Sequence, residues 1–213
     1  MRQRCVKNKA QILLECAEYN ITNPEELKGK WKDRFDNGKE DIFLEIGSGK
    51  GQFLLGMATS FADKNFIACE GGENINVRIL QKVQQNQPGN MLVITKYIEK
   101  ASDMFAEGEL SGIYLNFSDP WPKDRHQHRR LTYRDRLEEY KKVIKPGGFL
   151  AFKTDNDELF EWSLSEFEFC GLNPSIICRD LWNSEYKEAN IPTEYEEKFA
   201  SQGKTINYVL VNF

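Results

Sequence analysis

Short apolar or β-branched runs recur along the chain, each bounded by turn-forming residues, at Asp41–Ile46, Asn65–Glu70, Met91–Thr95, Gly112–Phe117, Phe149–Thr154, Pro174–Cys178 and Ile206–Phe213. Runs of this length and composition predict seven strands. Helical stretches lie between them, over Gly51–Ser60, Asn74–Gln85, Lys100–Phe105, Leu131–Ile144 and Glu158–Cys170. Asn23-Pro24-Glu25-Glu26 opens a further N-terminal helix, with Asn at the cap and Pro beside it. Pro146-Gly147-Gly148 ends one helix and turns the chain into the next strand. Strands alternating with helices predict an α/β fold, a mostly parallel sheet of seven strands with helices on both faces. Ligands of such sheets sit beyond the carboxyl ends of the strands, near the topological switch point. The chemistry is therefore sought just after each strand.

Composition narrows the class. The chain has 213 residues, a length that suits one domain. Its 12% aromatic content is too much apolar area for a disordered chain. No apolar run approaches the ~20 residues of a bilayer span, so no membrane association is expected. The N-terminal stretch is basic, but its apolar run is about five residues against a signal peptide's ~7–15, and a cytoplasmic location is expected. Cys5, Cys16, Cys69, Cys170 and Cys178 are widely spaced and form no C-x-x-C pair, which fits reduced thiols. The net charge of -4 argues against wholesale coating of nucleic acid but leaves room for a local basic patch.

After the first strand stands Glu45-Ile-Gly47-Ser-Gly49-Lys-Gly51, leading into a helix. Glycines let a backbone turn tightly and approach a ligand closely. A P-loop needs glycine where Leu44 stands and Ser or Thr where Gly51 stands, so that reading fails. The dinucleotide fingerprint fails at Gln52, where its third glycine belongs. The pattern left is E-x-G-x-G-x-G; a plain strand-to-helix turn is the bland alternative. Glu70 ends the second strand, nineteen residues beyond Gly51. A carboxylate there can accept from both ribose hydroxyls of an adenosine, or simply be solvated.

The fourth strand runs into Asn116-Phe-Ser-Asp119-Pro-Trp-Pro-Lys123 and then Asp124-Arg125-His126-Gln-His128-Arg129-Arg130. Two prolines stiffen a loop that carries a carboxylate, an indole and a lysine. From Lys123 to Arg130, four Lys/Arg and one Asp give +3 with the histidines neutral. Rigid aromatic and acidic groups beside cations suit a base-plus-phosphate ligand; a solvated basic turn is the alternative. His126 and His128 form H-x-H, yet nothing at ligand spacing completes a metal set, so no metal is expected. Lys153-Thr-Asp155-Asn156 places another carboxylate after the fifth strand. Near the C-terminus, Thr193 with Glu196 reads as a capping box opening a short helix, which does not preclude a ligand role. Arg2, Arg4, Lys7 and Lys9 form a second basic cluster, either an arm that orders on RNA or a solvated tail.

Taken together, E-x-G-x-G-x-G, L-N-F-S-D-P-W-P-K with R-H-x-x-R-R, F-K-T-D-N and T-x-Y-E-x-K-F resemble the bacterial tRNA (guanine-N7-)-methyltransferase family, whose fold is the Rossmann-like methyltransferase fold. The resemblance runs from about Gly29 to the end. It implies transfer of a methyl group from S-adenosyl-L-methionine to N7 of a guanosine in the tRNA variable loop, leaving S-adenosylhomocysteine and 7-methylguanosine. It places cofactor contacts on Glu45, the Gly47, Gly49 and Gly51 turn, Glu70 and Asp119. It places guanosine or tRNA contacts on Lys123, Arg125, His126, His128, Arg129, Arg130, Asp155, Thr193, Glu194, Tyr195 and Glu196. Two departures stand out: Tyr97 occupies the place of a family aspartate near the adenine, and Gly71-Gly72 replaces bulkier residues. Tyr97 is retained as a cofactor contact, and Asp119 is the expected catalytic carboxylate. The expected organisation is one domain, with a basic arm and helix over residues 1–36 and the catalytic core over 37–213, working as a monomer or homodimer.

Overall fold

The computed structural model describes residues 8–35 and 37–213, so Arg2, Arg4, Cys5 and Lys7 lie outside the described residues. In chain order the elements are α1 (Lys9–Glu15), β1 (Asn20–Ile21), α2 (Trp31–Phe35), β2 (Ile42–Ile46), α3 (Gln52–Ser60), β3 (Asn65–Cys69), α4 (Glu73–Asn86), β4 (Met91–Ile94) and α5 (Ala101–Met104). There follow β5 (Leu110–Asn116), α6 (Arg134–Val143), β6 (Ile144–Thr154), α7 (Asp157–Phe169), β7 (Pro174–Cys178), α8 (Glu194–Ala200) and β8 (Asn207–Asn212). All strands join one sheet in the order β1-β4-β3-β2-β5-β6-β8-β7. Pairings from β1 through β6 are parallel, and β8 runs antiparallel between β6 and β7. The connections reverse direction at β2, which pairs with both β3 and β5. That is the switch point, where a ligand crevice opens.

Strand parity divides the core. On β2, Leu44 and Ile46 face the core beneath α6 and α7, whereas Phe43 faces the core beneath α3 and α4. Glu45 shares the parity of Phe43 and enters that second face as a buried carboxylate. A sheet covered on both faces needs strands apolar on both sides, and every residue of β2, β3 and β4 is buried.

Three expectations change. The sheet has eight strands rather than seven. The addition, Asn20–Ile21, pairs with Val93 and Ile94 and is too short to carry a period. Pro146-Gly147-Gly148 is not a turn between helix and strand but lies inside β6, whose ladder with β5 shifts register between Leu110 and Gly112. Gly148 is required there, since an added Cβ would come 2.8 Å from the Ser111 carbonyl oxygen. The Asn23-Pro24 cap opens a single 3-10 turn, Pro24–Leu27, because Gly29 at φ 76° redirects the chain into α2.

Residues before β2 are packed onto the sheet domain. Trp31 is fully buried, stacks on Phe105 at 5.2 Å between ring centroids, and donates from Nε1 to the Met104 carbonyl at 2.9 Å. Replacing Trp31 with Ala should therefore cost about 3–5 kcal/mol of stability, whereas Trp31→Phe, which keeps a ring and orphans the carbonyl, should cost about 1–3 kcal/mol. Urea unfolding of the two variants measures both.

Candidate active site

The turn after β2 is shaped by Gly47, Gly49 and Gly51, all left-handed at φ 78°, 55° and 76°. An added Cβ at Gly47 or Gly49 would meet no protein atom within 4 Å, so these positions open outward. The turn is tied to the end of β3: Gly47 and Ser48 both donate their amides to the Cys69 carbonyl, at 2.8 and 3.2 Å. Glu70 completes the clasp, its Oε2 accepting from the Gly49 amide at 3.1 Å and its Oε1 from the Gly72 amide at 2.7 Å. A carboxylate has about four acceptor sites, so Glu70 retains capacity for further donors. Burial pushes its pKa up, and the amides of Gly72, Gly49 and Gly71 oppose that shift.

Glu45 lies beneath this turn. Its Oε1 accepts from Asn116 Nδ2 at 2.7 Å, and its Oε2 is buried without a partner. Desolvation raises the Glu45 pKa to about 7, against the opposing effects of Asn116 and the Lys153 charge.

The loop after β5 is held in a strained form. Phe117 and Trp121 both adopt positive φ, 52° and 41°, where residues with side chains pay a conformational cost. The bracing is local. Phe117 donates its amide to the Lys153 carbonyl at 2.8 Å, and its ring packs on Tyr195 at 5.0 Å. Arg130 donates from Nε to the Pro120 carbonyl at 2.9 Å and from Nη2 to that of Trp121 at 3.2 Å, while stacking over Trp162. Arg129 stacks over Trp121, and His126 meets that ring edge-on. Lys123, Arg125 and His128 are exposed on or beside the 3-10 turn Asp124–Arg129.

A cleft of about 710 Å³ spans the carboxyl ends of β2, β3, β4 and β5. Gly47, Gly49, Glu70, Tyr97, Asp119 and Arg129, all anticipated from the sequence, line it together with Gly71 and Gly72. Asp119 is exposed in it and near enough to Glu70 to disfavour that group's charge. Among the described residues, no three His, Cys, Asp or Glu side chains converge as a metal would require, and no helix is long and apolar enough to cross a membrane.

A second cluster forms around Asp155, whose Oδ2 accepts from Lys204 Nζ at 2.5 Å and from the Tyr195 hydroxyl at 3.1 Å. Thr193 and Glu196 form the anticipated capping box at the start of α8. Glu196, however, is fully buried: its carboxylate accepts from Lys153 Nζ at 2.7 Å, Asn190 Nδ2 at 2.6 Å and Trp182 Nε1 at 3.2 Å. Glu194 pairs with Lys82 at 2.5 Å. Sequence reasoning missed Asn116, Lys153, Asn190 and Lys204. Asn116 and Lys153 had a signal, a polar residue in an apolar strand end; Lys204, in the loop before β8, had none.

A family model described as "Putative methyltransferase" matches residues 39–209. A protein of Latilactobacillus sakei named tRNA (guanine-N(7)-)-methyltransferase is 43% identical over 206 residues, covering 97% of this chain and 96% of its own. The Bacillus subtilis protein of that name is 44% identical over 206 residues, with the same coverage. The chain belongs to the tRNA (guanine-N(7)-)-methyltransferase family. Solved structures agree on the fold: an antibiotic-related methyltransferase superposes with a TM-score of 0.64 at 14% identity, covering 91% of this chain and 94% of that one. A SAM-dependent methyltransferase from Aquifex aeolicus gives 0.56 at 16% identity, covering 97% and 98%. The Lacticaseibacillus casei protein of that name is 41% identical and aligns over 100% of this chain, α1 to α2 included.

The buried Glu45 gives a pH signature. Its folded pKa, about 7, exceeds the ordinary 4.5, so the folded state holds a proton that the unfolded state releases. Stability should therefore fall as pH rises from about 4.5 to 7, with a slope of up to ~1.4 kcal/mol per pH unit from this group. Glu45→Gln should flatten that slope, seen by denaturant unfolding at pH 5 and pH 7.5.

Proposed function

We propose that this protein methylates N7 of a guanosine in the tRNA variable loop, with S-adenosyl-L-methionine as donor. The observation carrying this reading is the placement of Glu70: its carboxylate bridges the glycine turn and the start of α4 and lines the same cleft as Asp119. The donor set fits the cofactor. Glu70 has acceptor capacity for a ribose diol, and Gly47 and Gly49 leave open space for a close approach. Gln52 stands where the third glycine of the dinucleotide fingerprint belongs, which disfavours a nicotinamide dinucleotide. A cationic ligand gains from the Glu70 and Asp119 carboxylates that line the cleft.

Guanine N7 presents a lone pair and no proton, so no general base is needed. The N7–methyl bond forms as the methyl–sulfur bond breaks, its electron pair returning to sulfur and the positive charge passing to the guanine. What the chain supplies is alignment and charge. Asp119, on a loop held by Arg130 and the Phe117–Tyr195 contact, is the carboxylate set to stabilise that charge or to accept from the guanine N1–H and amino group. Asp155, fixed by Tyr195 and Lys204, is its rival for base recognition. Lys123, Arg125, His128 and Arg129 are the phosphate-facing set. We assign Arg130 and Glu196 a supporting role in place of direct RNA contact, because their charged groups are engaged within the protein. Residues 37–213 carry this chemistry, and β1, within the described residues 8–35, extends the sheet edge. A cytoplasmic location follows from the substrate.

Incubation with bulk tRNA and the methyl donor, followed by nucleoside analysis, should yield 7-methylguanosine; its absence would sink the proposal. Asp119→Ala should lower the single-turnover rate by about 10² or more, with tRNA affinity little changed. Replacing Lys123 and Arg125 together should weaken tRNA binding and reduce its salt slope by roughly one unit per lost phosphate contact, read from affinities at several salt concentrations. Arg130→Ala should lower the rate while leaving that slope intact.

A further inference from the structure

Gly71 and Tyr97 reach the cleft from the ends of different strands and fit together tightly. An added Cβ on Gly71 would come 2.2–2.3 Å from the Tyr97 Cδ1, Cε1 and Cγ atoms, so the ring rests against the bare glycine backbone. The segment holding the ring is anchored to β3: Glu70 donates its amide to the Ile94 carbonyl at 3.1 Å, and Cys69 Sγ donates to the Lys96 carbonyl at 3.1 Å. Tyr97 nevertheless remains 74% exposed, a large ring left open in a crevice directly beside Glu70. Exposed aromatic rings beside a group that can hold a ribose suit base stacking, since every nucleobase has an apolar π-face.

We propose that Gly71 and Tyr97 act as one specificity element, the ring forming a stacking wall for the adenine base and the glycine fixing its position. The inference rests on the proposed use of Glu70 for the ribose. A side chain at position 71 would displace the ring by rotating its χ angles, so the cost falls on ligand binding and not on the fold. Stacking requires the ring and not the hydroxyl. It also requires the base and not the amino-acid end of the cofactor.

Calorimetric titration of the full chain with S-adenosylhomocysteine and, separately, with adenosine tests this. Tyr97→Phe should bind both as the parent does, within about twofold. Tyr97→Ala and Gly71→Ala should each weaken both ligands by about tenfold or more, with ligand-free melting temperatures unchanged. The double variant should be no worse than Tyr97→Ala alone, since both changes remove the same contact. Retained affinity in Tyr97→Ala, multiplying losses in the double variant, or a loss confined to S-adenosylhomocysteine would overturn the proposal and leave the methyl-donor reading standing. A parent protein that takes up neither ligand would overturn both.

Discussion

The ammonium group of Lys153 is the constraint on which the substrate side of this structure depends. It sits almost fully buried at the end of β6 and donates to the Glu196 carboxylate, Asn190 Oδ1 and the Ile191 carbonyl. Burial lowers its pKa, and the Glu196 charge opposes that shift. Two ions removed from water repay their desolvation only where geometry is good and remaining donors are satisfied. Here Trp182 and Asn190 complete the shell around Glu196. One consequence is positional: α8 is pinned to the sheet, which carries Tyr195 onto Phe117 and Asp155. Another is electrostatic, because the same ammonium opposes the rise in the Glu45 pKa from two strands away, across β5.

The main-chain carbonyl of Lys153 extends the constraint to the loop after β5 by accepting from Phe117. That loop contains two left-handed non-glycine residues, a conformation of order 1–3 kcal/mol each that survives only where neighbours over-determine it. Arg130 provides the remaining restraint through two carbonyls and Trp162. The main chain on either side of Asp119 is braced by these contacts. A carboxylate acting by preorganised charge must not reorganise when the reaction begins.

How much of this was legible in the sequence follows from what each residue type betrays. The central strands β2, β3 and β4 announced themselves because both faces of the sheet are covered there and their runs are largely apolar. By contrast, β7 and β8 showed as runs that alternate between buried and more exposed positions. Asn20–Ile21 carried no period, and the bulge at Gly147-Gly148 used residues that also make turns. The glycine turn, Glu70 and Asp119 were legible because sheet topology puts the carboxyl end of every parallel strand on one edge. Arg130 and Glu196 are engaged within the protein, and a sequence does not distinguish a charge facing solvent from one braced inside. Lys204 reaches Asp155 from 49 residues along the chain, a contact only the fold creates. Tyr97 and Gly71 were visible as departures, and their mutual fit was not, since it depends on an atom that is missing.

The glycine turn and the Asp155 cluster are built from different materials, and this bears on how each can vary. Around the glycine turn, main-chain amides of Gly47, Ser48, Gly49 and Gly72 do the work, held by the Cys69 carbonyl and the Glu70 carboxylate. Backbone geometry tolerates little substitution, because positive φ at Gly47 and Gly49 is costly for any other residue. Around Asp155 and α8, by contrast, side chains from β6, the loop before β8 and the helix itself make the contacts. Such networks can be re-paired one partner at a time, provided the buried Lys153 keeps its counter-ion. The Gly71–Tyr97 pair lies between these regimes: a side chain supplies the surface, and a backbone without Cβ supplies its seat. Any side chain at position 71 would have to move the Tyr97 ring, so the two positions are constrained together.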